Sequence, residues 1–183
     1  ESGKKALYLN TQLSALILKK LGINTNTIPV LDIPSVNVSD IIGDRSYSLD
    51  KEIVSMAGEI VIRSLLDHGI TPVIKHIPGH GRASVDSHLG LPIVDTDQNT
   101  LFKNDFYPFI ENNNVELAMT AHITYSAIDP NDPATLSKEV ILKVIRETIN
   151  YQGLLITDDI SMKAITIPTE QAAIKALESG CDL

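Results

Sequence analysis

The chain has 183 residues, of which 43% are hydrophobic and 21% charged, enough for one globular domain and too few for two. A formal net charge of −8 leaves no basic footprint for nucleic acid or an anionic membrane. The single cysteine, Cys181, excludes an intrachain disulfide and any cysteine-based zinc cluster, and reads as a buried small hydrophobe.

Taken in order, "LNTQLSALILKKLG" (9–22) has apolar residues at helical spacing and a stop at Gly22. Its "LSALIL" (13–18) is among the longest apolar-rich runs and falls short of the roughly 18 residues of a membrane span. "TIPVLDI" (27–33) is a short β-rich run. "DKEIVSMAGEIVIRSLLDHG" (50–69) predicts a helix burying Ile53, Met56, Ala57, Ile60, Val61 and Leu65 and ending at Gly69. "TPVIKHI" (71–77) is the next strand, residues 98–112 a weaker helix, and "ELAMTAHITY" (116–125) a strand. "SKEVILKVIRETIN" (137–150) predicts a helix capped by Ser137 with Val140, Ile141, Val144, Ile145 and Ile149 buried. "GLLIT" (153–157) is a strand, and "PTEQAAIKALESG" (168–180) a helix with Pro168 near its first turn and Gly180 after its last. The chain stops at "CDL", where another strand should begin.

Alternating strands and helices of this kind predict parallel strands joined by right-handed crossovers, in a doubly wound sheet or a (β/α)8 barrel. The polar residues favour the barrel. Asp32, Lys75, His76, His122, Asp158 and Asp159 all fall at or just after strand C-terminal ends, where barrel enzymes build their sites. A complete barrel takes about 250 residues, so about four to five βα units are expected here, in a single partial barrel domain over 1–183. The opening "ESGKK" carries no initiator methionine and no signal peptide, so a fragment or processed form is expected.

The stretch "KHIPGHGRASVDSHLGLP" (75–92) holds His76, His80 and His88 together with Asp86, Gly79 and Gly81. A solvated turn is the plain reading, but a lysine and a histidine directly after "PVI" are costly to bury unless they bind something polar. Metal chemistry is a second reading, with His122, Asp158 and Asp159 completing a site, although the spacing lacks the glutamate and helical setting of H-E-x-x-H. A third is acid–base and nucleophilic work. Asp86 would orient and tune His88 two residues on, and Asp158, directly after an apolar strand, would supply the nucleophile.

These residues also carry a family likeness. "KHIPGHGRASVDSHLGLP" closely resembles the K-H-F-P-G-H-G…D-S-H signature of family-3 glycoside hydrolases of the β-N-acetylglucosaminidase (NagZ) type. "GLLITDDISM" resembles their nucleophile segment and "IGDRSY" (42–47) their I-G-x-R-S-[YF] segment, in matching order and spacing. The resemblance implies a retaining glycosidase that removes terminal, non-reducing β-linked N-acetylglucosamine from muropeptides. By motif, Asp158 is the expected nucleophile, His88 the acid/base and Asp86 its tuning partner. Arg45, Lys75 and His76 are expected to bind sugar hydroxyls. His122 reads either as a satisfied core histidine or as lining the site. Asp32 also stands near the site and is expected to organise nearby cations such as Arg45 or Lys75, and His80 to fix the loop. No metal or other cofactor is expected, and no nucleic acid or membrane partner. A monomer in the cytoplasm is expected, the latter because no intrachain disulfide is possible. The family's earlier D-x-E-G-G-R segment does not occur, so the first and last barrel units are expected to be missing. A metal-dependent barrel hydrolase and an inactive sugar-binding fragment remain the alternatives.

Overall fold

The computed structural model describes residues 1–35, 42–83, 87 and 89–183. Helix α1 runs over Ser2–Lys20, longer at its start than the apolar spacing predicts, and Gly22 follows it at φ +77°. Strand β1 is Thr25–Asn26, and α2 is Lys51–Asp67, capped by the Asp50 carboxylate, which accepts from the Glu52 and Ile53 amides. Gly69 lies at φ +71°, a conformation costly for any residue with a Cβ, and the chain turns there into strand β2, Thr71–Ile77, with the predicted bounds.

The buried face of α2 differs from the prediction. Ile53 is exposed and Met56 and Ile60 are half-buried, whereas Val54, Ala57, Gly58, Val61, Ile62 and Leu65 are buried. The helix is covered on two sides. Val61 and Leu65 pack with Ala15 of α1, while Val54 and Ile62 join the main core and Gly58 faces Leu31. A one-sided stripe is therefore the wrong template for it.

Residues 98–112 form consecutive short turns: Gln98–Thr100, a wide i→i+5 turn over Leu101–Asp105, and a helix over Tyr107–Glu111. The predicted strand 116–125 is two strands, β4 (Leu117–Thr120) and β5 (Thr124–Tyr125). They separate because β5 leaves the main sheet to pair with β3, Ile93–Val94, which the sequence reading did not identify. Ser137 caps the next helix, accepting from the Val140 amide at 3.1 Å, and Val140–Thr148 continues in wide turns. All five predicted apolar residues of that helix are buried. Strand β6 is Leu154–Ile156, followed by the helix Thr169–Ser179 and by Gly180 at φ +114°.

The main sheet is four-stranded and parallel throughout, in the order β1-β2-β4-β6, with helices joining successive strands. This is the sheet of a parallel α/β barrel, seen as an arc. Residues 181–183 extend it: the Leu183 amide donates to the Leu155 carbonyl and the Thr157 amide to the Leu183 carbonyl, the bonding of a parallel ladder. Among the described residues, no helix is long and apolar enough to cross a membrane.

The stem of the glycine loop is clamped against this frame. The Tyr125 hydroxyl donates to the Gly79 carbonyl at 2.5 Å, and the Arg82 Nε donates to both Asp105 oxygens at 2.8 Å. Gly81 passes so close to the 31–35 segment that a Cβ would lie 1.8 Å from the Ile33 carbonyl oxygen. Gly81→Ala should therefore lower the thermal midpoint, at a cost of about 1–3 kcal/mol. Gly3→Ala, where nothing lies within 4 Å, should leave the midpoint unchanged or raise it. Equal midpoints for Gly81→Ala and the parent chain in thermal denaturation would show that the close approach is not a constraint.

Candidate active site

Strand β2 ends in Lys75-His76-Ile77, β4 is followed by His122, and β6 by Asp158. Asp32 lies just after Val30, which bridges in parallel to Lys75. All four positions meet at the C-terminal edge of one parallel sheet, where a barrel mouth forms. The Ile28–Pro29, Lys75–His76 and Ile77–Pro78 peptides flanking this edge are cis. The strand ladder shifts register between Lys75 and Ile77.

A cavity of about 370 Å³ opens there. Among the described residues its walls carry Arg45, Lys75, His76, His80, Ser87 and Asp158, with Thr27, Ile42, Met119 and Met162 as the less polar part. Asp158 Oδ1 accepts from the Asp159 amide at 2.8 Å, which leaves Oδ2 toward the cavity, 3.9 Å from His76 Nε2. Lys75 Nζ donates to the Thr27 hydroxyl at 3.3 Å. Burial pulls the Lys75 ammonium's pKa down, with Asp158 and Asp32 pushing the other way. Arg45 directs its Nε to the Ile42 carbonyl at 3.3 Å while lining the cavity.

Two residues expected near the site stand behind its wall rather than in it. Asp32 is fully buried; its charge supports the Lys75 ammonium, as expected, while its hydrogen bonds go to His76 and His80. It lies 2.6 Å from His76 Nδ1, accepts from the His76 amide at 3.3 Å and from the His80 amide at 2.6 Å. Burial works against its charge, but the two histidines and these hydrogen bonds win, and its pKa falls below the usual carboxylate value.

His122 is the satisfied core histidine of the two readings. The Asp159 carbonyl, which can only accept, lies 3.0 Å from Nε2, so Nε2 holds the proton. Nδ1 lies 2.7 Å from the Thr135 hydroxyl, which also sits 3.1 Å from the Ala121 carbonyl, and Thr120 approaches Thr135 at 2.8 Å. The neutral ring thus ties β4 to the backbone beside Asp158. The sequence could not separate these readings, because the deciding partners lie 13 and 37 residues away. His80 is also buried, packed edge-on against His76 with ring centroids 5.3 Å apart, and its Nδ1 has no hydrogen-bond partner among the described residues. Its presence on the cavity wall goes beyond the loop-fixing role expected of it.

Asp86 and His88, the expected acid–base pair, lie outside the described residues. Among the described residues, no group of three or more His, Cys, Asp or Glu side chains is placed to hold a metal ion.

Residues 2–183 match the glycosyl hydrolase family 3 N terminal domain. The chain belongs to glycosyl hydrolase family 3. A beta-hexosaminidase of Methylococcus capsulatus is 35% identical over 100% of this chain and 55% of its own length. One from Alkalilimnicola ehrlichii is 37% identical over 93% of this chain and 50% of its own length. Among solved structures, a glycoside hydrolase family 3 β-N-acetylglucosaminidase from Paenibacillus sp. superimposes with a TM-score of 0.93 at 36% identity, covering 98% of this chain and 35% of that one. NagZ from Neisseria gonorrhoeae, solved in complex with N-trifluoroacetyl-D-glucosamine, gives 0.90 at 28% identity, covering 100% of this chain and 52% of that one. The chain therefore spans about half the length of these two beta-hexosaminidases, and the parallel α/β fold of the family-3 structures is the one found here.

The buried histidines of this family-3 site carry a stability prediction. Burial holds the pKa of His80 and His122 below the ordinary 6.5. The unfolded chain then binds more protons than the folded one in the interval between folded and unfolded values. The stability these rings contribute is intact above 6.5 and is lost as pH falls through their folded values. Thermal midpoints taken from about pH 8 down to about pH 5 should fall, and the fall should be shallower in His122→Gln. Parallel curves for the two proteins would contradict a neutral buried His122.

Proposed function

We propose that this chain is the site-bearing part of a retaining β-N-acetylglucosaminidase that removes terminal, non-reducing β-linked N-acetylglucosamine, with peptidoglycan fragments as its natural substrates. The observation that carries the reading is Asp158. Its carboxylate is fixed through Oδ1 by a backbone amide and presents Oδ2 at the end of a barrel strand, in a cavity walled by Arg45, Lys75 and His76.

In this reading Asp158 attacks the anomeric carbon as the bond to the leaving oxygen breaks, forming a glycosyl-enzyme that water then hydrolyses. His88 protonates the leaving oxygen and later takes the proton of that water, and Asp86 orients it. Both assignments rest on their place in the D-S-H motif. A histidine is suited to the work because it titrates near neutrality, and its neutral form adds no second anion beside Asp158. Arg45, Lys75 and His76 bind sugar hydroxyls. The whole of 1–183 is read as one partial barrel domain, acting as a monomer. Its single cysteine agrees with a reducing compartment such as the cytoplasm.

The test is release of nitrophenol from nitrophenyl β-N-acetylglucosaminide. Turnover should resist chelator and should fall at least roughly a thousandfold in Asp158→Asn, with the thermal midpoint kept. Full activity in that variant would sink the nucleophile assignment. His88→Ala should spare the activated nitrophenyl substrate more than a muropeptide, because a good leaving group needs less protonation. Equal losses on the two substrates would count against His88 as the acid.

A further inference from the structure

The site holds a buried carboxylate with no place in the chemistry above. Asp32 is held opposite His76 by the β-bridge of Val30 with Lys75 and by the Leu31 amide, which donates to the Lys75 carbonyl at 2.7 Å. An ionised carboxylate can only accept, and the two backbone amides of His76 and His80 already donate to it. The contact of 2.6 Å with His76 Nδ1 therefore requires the proton to sit on Nδ1. In a neutral ring this leaves Nε2 as a bare lone pair.

That lone pair faces the cavity. In the neutral ring it lies 3.9 Å from Asp158 Oδ2, also an acceptor; a second ring proton would turn the same contact into an ion pair. Lys75 and Arg45, on the same wall, can only donate. The edge-on His80 ring limits how far the His76 ring can turn. Donor-only cations beside a forced acceptor suit a group that accepts and donates at once, as a sugar hydroxyl does.

We propose that Asp32 is a positioning residue that fixes the Nδ1–H tautomer of His76, so that Nε2 receives a hydrogen from a sugar hydroxyl while the neighbouring cations donate to it. The recognition half rests on the glycosidase reading, and the tautomer half stands on geometry alone. Asp32→Asn keeps the shape and an oxygen for the His80 amide but offers an N–H to Nδ1. His76 should then carry its proton on Nε2 and turn from acceptor to donor.

The experiment is long-range ¹H–¹⁵N correlation of the histidine rings at alkaline pH, with His76 assigned by loss of its signals in His76→Gln. The parent chain should show a protonated Nδ1 and a bare Nε2 for His76, and Asp32→Asn should exchange the two. A bare Nδ1 in the parent chain, or an unchanged pattern in Asp32→Asn, would overturn the proposal. If Asp32→Asn does not fold, the parent spectrum alone decides the tautomer. Adding N-acetylglucosamine should shift the His76 Nε2 signal in the parent, and Asp32→Asn should bind that sugar roughly three- to tenfold more weakly. Sugar binding that leaves Nε2 unmoved would overturn the recognition role. A correct tautomer exchange with no response to the sugar would keep the positioning role and overturn the glycosidase reading beneath it.

Discussion

One buried carboxylate sets the geometry on which the site depends. Removing Asp32 from water is expensive unless every lone pair finds a donor, and its donors come from one short run of backbone and side chain, His76 to His80. Satisfying Asp32 therefore dictates how the chain leaves β2. It fixes the His76 ring and starts the glycine loop in one direction. The clamps on that loop, Tyr125 on Gly79 and Asp105 on Arg82, repeat the same logic further along. Burial raises the Asp105 pKa while Arg82 pulls it down, so that ion pair also exists through its partner.

A second buried anchor serves the opposite wall. His122 spends both ring nitrogens on Thr135 and on the backbone of Asp159, so the chain around Asp158 is held from beneath by β4. Among the described residues the nucleophile candidate itself accepts one hydrogen bond, from its own neighbour's amide. Rigid strands and buried polar anchors thus carry the precision, and Asp158 Oδ2 faces the cavity. This division is what a site must have if its supporting residues are to cost stability once, in the core, rather than at each encounter with a ligand.

Much of this was legible in the sequence. Strand β2 and the Ser137-capped helix followed from β-branched runs, a capping hydroxyl and an unbroken apolar stripe, all local signals. The polar residues at strand ends pointed to the mouth of a barrel, and the three motifs pointed to the family that residues 2–183 match. What failed was non-local. Strand β3 is two residues long and exists by pairing with β5, so no periodicity announces it. The α2 stripe was misread because both α1 and the main core cover that helix. The bond of Asp32 to His76 was not legible because the two lie 44 residues apart, across a parallel strand pair whose register no sequence pattern prints.

The central claim is that Asp158 becomes covalently bonded to the sugar. The most direct measurement is mass spectrometry of the chain after incubation with a 5-fluoro N-acetylglucosaminyl fluoride, which slows the release of a glycosyl-enzyme. The account predicts a mass increase of one sugar, located by peptide mapping on Asp158. Turnover of an N-acetylglucosaminide with the adduct on another residue would contradict it.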